Sequence, residues 1–244
     1  MTVSPKARAQ AIATGRGGGQ TLAIPLALRL AARINERALD AFFADPTQLA
    51  NGLGDLYEAV RPDGVVVTLP EVVAADLAAT DPADLARGVR CGCALEATRR
   101  LRQTLGDAAA LTAVLPGPAS LAARWGVADP GTVIVALMRE FLGAGVDVVV
   151  FVESETADLA RFAGALSTAA NMARFHRAVA ALIGPPAAGL GTPTVVAVGR
   201  PAPATGLVVT DGEVPPDTSV VLVRDWLATV RSTRSTPYPG LARM

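Results

Sequence analysis

Gly145-Val-Asp-Val-Val-Val-Phe-Val-Glu-Ser154 is the stretch that decides the architecture. Between one acid and a polar pair it carries five consecutive apolar residues, Val148 to Val152. A strand with one wet face alternates apolar and polar residues. This one does not, so both faces are expected to be buried, as in a parallel sheet covered by helices. The polar pair Glu153–Ser154 then falls at the C-terminal end of the strand, where α/β folds place their chemistry.

Upstream, Asp129-Pro130 reads as an N-cap followed by proline in the first helical turn. It opens a helix with Val133, Leu137, Met138 and Phe141 inward, ended by Gly143 and Gly145. Leu111–Leu115 reads as a strand stopped by Pro116-Gly-Pro118, and Ala94–Leu105 as a helix. Asp81-Pro82 and Asp45-Pro46 repeat the helix start. After Asp45, residues Leu49, Leu53, Leu56 and Val60 make one apolar helical face. Val65–Leu69 is a buried strand that ends at Pro70–Glu71, and Thr21–Leu28 is a strand kept short by Pro25.

Downstream, Thr156–Ile183 reads as one long helix or two shorter ones. Thr194–Val198 and Leu207–Thr210 are strands, and a helix over Ser219–Val230 closes the pattern. Six strands alternating with helices imply a parallel sheet, open or closed. No linker divides the pattern, so residues 21–231 are expected to be one domain. Residues 1–20, with the Thr14-Gly-Arg-Gly-Gly-Gly19 run, read as a flexible arm, and 232–244 as a polar tail.

Acidic and basic residues balance, 22 of each, so no bulk field draws the chain to nucleic acid or an anionic membrane. The apolar runs are strand-sized, and residues 1–20 lack the apolar core of a signal peptide. A soluble cytoplasmic protein is expected. Cys91 and Cys93 stand alone apart from the distant His176, which is too few ligands for zinc. They read as small buried hydrophobes, and neither metal nor cofactor is expected.

Four blocks in order resemble the uroporphyrinogen decarboxylase family and its superfamily, which includes cobalamin-independent methionine synthase and the corrinoid methyltransferases. They are Asp45-Pro-Thr-Gln-Leu-Ala50 through Arg61-Pro-Asp-Gly-Val-Val-Val67; Ala94-Leu-Glu-Ala97 through Leu115-Pro-Gly-Pro-Ala-Ser-Leu-Ala122; Phe141-Leu-Gly-Ala-Gly-Val-Asp147 through Glu153-Ser154; and Gly212-Glu-Val-Pro-Pro-Asp-Thr218. The resemblance implies a (β/α) TIM-type barrel with its site at the C-terminal face. The chain between strand four and the last turn is too short for every family strand, so the barrel is expected to be truncated.

The family's catalytic groups are largely missing. Arg29, in Leu26-Ala-Leu-Arg-Leu30, is the one match to the carboxylate-binding arginines of the first strand. Thr68-Leu-Pro-Glu71 stands where the decarboxylases have an aspartate. Gly212 stands where they have a histidine, or the methyltransferases a zinc-binding cysteine.

The strand ends still supply polar groups. Glu153, Asp211 and Glu71 are the candidate catalytic carboxylates, able to divide acid and base roles if burial and mutual repulsion separate their pKa values. Arg29, Ser120, Arg124, Ser154, Arg200 and Glu213 are candidate substrate-binding residues. Three readings follow. The chain acts on a small carboxylated or methylated substrate; or it is a non-catalytic binding or assembly subunit derived from this family; or it is an α/β ligand-binding protein of other descent. A small-molecule ligand is expected as partner, with homo- or hetero-oligomerisation left open.

Overall fold

The structure, a computed structural model, describes residues 3–17, 19–77, 81–200 and 206–232. Its strands are β1 (Thr21–Ile24), β2 (Gly64–Thr68), β3 (Ala110–Pro116), β4 (Val148–Val152), β5 (Val179–Ile183), β6 (Thr194–Val196) and β7 (Gly206–Thr210). All pair in parallel, in two sheets ordered β2-β3-β4-β5 and β1-β7-β6. The sheets meet at two seams. At one, the Asp63 N–H donates to Ala23 O (3.2 Å). At the other, Gly191 bridges Ala181, donating to Ala180 O (2.9 Å) and accepting from Leu182 N (2.8 Å). Among the described residues neither seam is a ladder, so the strands form a truncated TIM-type barrel.

Helices cover the strands: α1 (Pro5–Ala13), α2 (Leu28–Ile34), α3 (Leu39–Ala44), α4 (Pro46–Val60), α5 (Pro70–Leu77), α6 (Val89–Leu105), α7 (Pro118–Trp125), α8 (Pro130–Ala144), α9 (Ala163–His176) and α10 (Val220–Ser232). The Asp-Pro starts behave as their chemistry dictates. Asp45 accepts from Thr47 N (2.7 Å) and Gln48 N (3.2 Å), and Asp129 from Thr132 N (3.2 Å). At Asp81-Pro82 a 3-10 turn, Pro82–Arg87, forms instead. Next comes α6, whose N-terminal groups Arg90 N and Cys91 N are held by the buried Asp76 (3.0 and 2.7 Å). β4 is buried as its composition requires, with Val148 to Phe151 fully so.

Two further elements differ from the sequence expectation. Val179–Ile183 is a strand, not the end of a long helix. Arg177 takes a left-handed conformation (φ 55°) that stops α9, and β5 then pairs with β4 over its whole length. Its alanines are neutral enough for the tertiary partner to decide. Among the described residues seven strands result where six were expected.

The expected arm contains helix α1, capped by Ser4 and with Ala9 fully buried. It lies across the N-terminal ends of the strands. Arg8 donates to Thr21 O (2.6 Å) and, bidentately, to Asp63 (2.7 and 3.2 Å), and Lys6 pairs with Asp107 (3.2 Å). That end of the barrel is therefore covered, and access lies at the C-terminal face. Of the expected tail, Ser232 is the last residue of α10 and the rest lies outside the described residues.

Candidate functional site

The C-terminal ends of the strands open onto two adjoining spaces. The first is a cavity of about 460 Å³ in the barrel mouth. Val114, Val152, Ile183 and Val195 give it an apolar lining from β3, β4, β5 and β6. Its polar lining brings together Arg29, Glu71, Asp211 and Glu213, four of the residues singled out from sequence. Arg29 comes from the first turn of α2, Glu71 from the first turn of α5, and Asp211 and Glu213 from the turn after β7. Thr210, which the sequence reading passed over, fixes that turn. Its hydroxyl accepts from Leu26 N (3.0 Å) and donates to Gly212 O (2.7 Å), tying the ends of β1 and β7 together.

Arg29 is already committed. Its Nε pairs with Glu213 Oε2 (2.8 Å), while its backbone N–H donates to Glu213 Oε1 (2.6 Å). Even so, the Glu213 carboxyl is held above its ordinary pKa of 4.5. Burial is the largest cause and the like charge of Glu71 adds to it, outweighing the two Arg29 contacts. A carboxyl whose pKa is raised by folding binds its proton more tightly in the native state. Its favourable contribution is therefore complete below pH 4.5 and is lost as pH rises through the folded pKa. Glu213→Gln should flatten that segment of the stability curve, seen as a smaller decline in Tm across the window above pH 4.5 than the parent shows.

The second space, about 780 Å³, runs between α7 and the loop after β4 and meets the mouth at Val152. Ser120, Arg124, Glu153 and Ser154 line it, along with Thr156, Asp158 and Arg161, which no sequence pattern marked. Glu153 stands at the C-terminal end of β4, but it is only 7% exposed. Its carboxylate closes the N-terminus of α7, accepting from Ala119 N (2.6 Å), Ser120 N (2.8 Å) and the Ser120 hydroxyl (2.5 Å). The sequence reading expected this charge within reach of water or a partner. Here the orphan N–H groups of a helix and its dipole meet the cost of burial. Gly117 makes room, because a Cβ there would collide with the carboxylate. Arg200 lines neither space; its backbone N–H donates to Ala197 O (3.0 Å).

The residues present do not fit the zinc that the methyltransferase branch implies. Gly212 lines the mouth without a side chain. Cys91 and Cys93 are buried in α6, their thiols pushed up chiefly by desolvation, Cys93 to about 12. His176 ends α9, at the opposite end of the barrel from the mouth. Among the described residues no group of three or more His, Cys, Asp or Glu is placed to hold a metal ion, and no helix is long and apolar enough to cross a membrane.

No protein-family model and no curated protein sequence matches the chain. Among solved structures, a methyltransferase from Methanosarcina mazei matches over 94% of this chain and 98% of its own, with a TM-score of 0.63 and 14% identity. At that identity the likeness shows a shared fold, and the α/β barrel of this chain is methyltransferase-like in that sense.

Proposed function

We propose that this chain is a divergent member of the uroporphyrinogen decarboxylase-like superfamily that binds a small methylated, positively charged ligand in the barrel mouth. One observation carries the reading. Three carboxylates, Glu71, Asp211 and Glu213, face a single guanidinium, Arg29, which Glu213 already holds. A carboxylated ligand would have to displace Glu213 and meet two further acids. A methylated ammonium instead sets its methyl groups on Val114, Val152, Ile183 and Val195 and its charge toward Glu71 and Asp211. A structural neighbour named as a methyltransferase agrees with a methylated ligand.

In this reading the chain's own residues bind and orient. Glu71 and Asp211 supply the counter-charge, Arg29 holds Glu213 in place, and the valines exclude water. Calorimetric titration with tetramethylammonium chloride and with sodium acetate tests it. Saturable binding of the ammonium is expected, weakened about tenfold by Glu71→Gln or Asp211→Asn, the worth of about 1.4 kcal/mol of charge interaction. Binding of acetate in its place would return the mouth to the carboxylated class, and heat from neither salt would remove the proposed site.

A further inference from the structure

The groove beside α7 differs from the mouth in charge: two arginines and two acids line it, where the mouth has one arginine and three acids. Arg124 and Arg161 both line it, and neither guanidinium has an ion-pair or hydrogen-bond partner among the described residues. Each guanidinium is placed by the aromatic ring next to it in sequence: Arg124 lies 5.1 Å from the Trp125 centroid, and Arg161 4.5 Å from that of Phe162. Such stacking uses the face of a guanidinium and leaves its N–H edge free to donate.

Two acids line the same groove. Glu153 is turned onto α7, where three donors hold its oxygens. Asp158 accepts the Ala160 N–H (3.1 Å) through one oxygen. The lining therefore holds two cations and two anions, but Glu153 is buried behind the α7 donors while the two guanidiniums are exposed and uncommitted. Ser154 and Thr156 line the groove as well, their hydroxyl oxygens 3.0 Å apart. One hydrogen bond joins this pair, so one hydroxyl proton is left to donate outward.

We infer that this groove is a binding site for an anionic group with several acceptor oxygens, a phosphate or a carboxylate, held by Arg124, Arg161 and the Ser154–Thr156 hydroxyl pair. The guanidinium forks match either group bidentately. The site is separate from the mouth and stands whether or not the mouth takes a cation. Because the two spaces meet at Val152, a ligand long enough to reach both carries its negative group in the groove.

The probes are inorganic phosphate and succinate, each titrated at constant ionic strength into the isotope-labelled full chain while backbone amide shifts are followed. The expected result is saturable shifts confined to 119–124 and 154–161 with one or both probes. Saturation by phosphate alone marks a phosphoryl group, and by succinate alone a carboxylate. Arg124→Gln and Arg161→Gln should each weaken binding about tenfold, the worth of one charge-assisted hydrogen bond. Asp158→Asn should tighten it, and Arg139→Gln, on the exposed face of α8, should leave it unchanged. Both groove arginines are exposed, so the variants should melt with the parent. The inference is overturned if no residue saturates, if sodium chloride gives the same shifts, or if binding survives loss of both arginines.

Discussion

Replacing Glu153 with alanine is expected to lower the unfolding free energy by about 3–5 kcal/mol, because removing one side of a buried charged network strands its partners. The stranded groups are Ala119 N, Ser120 N and the Ser120 hydroxyl, all lodged at the start of α7. The Ser120 hydroxyl keeps only the weaker contact to Val152 O (3.5 Å), while the two backbone N–H groups are left without their acceptor. Glu153→Gln keeps the shape and one accepting oxygen but turns an amide N–H₂ toward a donor. It should cost less, about 1–2 kcal/mol. Urea denaturation with an unchanged m-value separates a loss of stability from a change in compactness. If Glu153→Ala unfolds within 1 kcal/mol of the parent, the carboxylate is not what holds α7, and a catalytic role at the rim becomes the better account of its position.

Asp63→Ala should be of similar size, about 3–5 kcal/mol, for the same reason at the other end of the barrel. Asp63 is 2% exposed and gathers three elements. It takes the bidentate Arg8 contact from α1, a hydrogen bond from Arg231 of α10 (2.8 Å) and one from Ala23 N of β1 (2.9 Å). The two arginines are not equal. Arg8 is the more buried and doubly bonded, whereas the Arg231 side chain is 38% exposed and solvent screens its pair. Arg8→Ala should therefore cost several times as much as Arg231→Ala, and the Arg8/Asp63 double-mutant cycle should show the larger coupling. Equal coupling for the two pairs would mean that the bidentate geometry contributes nothing.

Much of the fold was legible in the sequence because the deciding signals are local and strong. The unbroken apolar run Val148–Val152 cannot have a wet face, and Asp45-Pro46 and Asp129-Pro130 each combine an acceptor with a residue preorganised for a first helical turn. Legibility failed where tertiary partners decide. Val179–Ile183 has no composition of its own to oppose a helix; the turn at Arg177 and the ladder to β4 make it a strand. Helix α1 shows no apolar stripe, and its docking depends on Thr21, Asp63 and Asp107, acceptors from other segments.

The site divided in the same way. Glu71, Asp211 and Glu213 follow strand ends in sequence, and the structure brings them to one rim with Arg29 beside them. The sequence could not give the direction in which Glu153 turns, since the donors that claim it belong to a different helix. Arg161 went unseen because nothing in its spacing ties it to Arg124.

The pairing of β1 with β7 has a consequence for how the molecule comes to exist. Thr21 aligns with Gly206 and Ile24 with Val209, so β1 leaves the ribosome well over a hundred residues before its ladder partner β7. The four strands β2 to β5 are contiguous and can assemble while the chain is still growing. β1 meanwhile must wait as an apolar segment with an unpaired edge, together with the helix that precedes it. Such delayed, long-range pairing slows folding and prolongs exposure to aggregation. The interval before β7 emerges is when the unpaired edge of β1 is most open to misassociation.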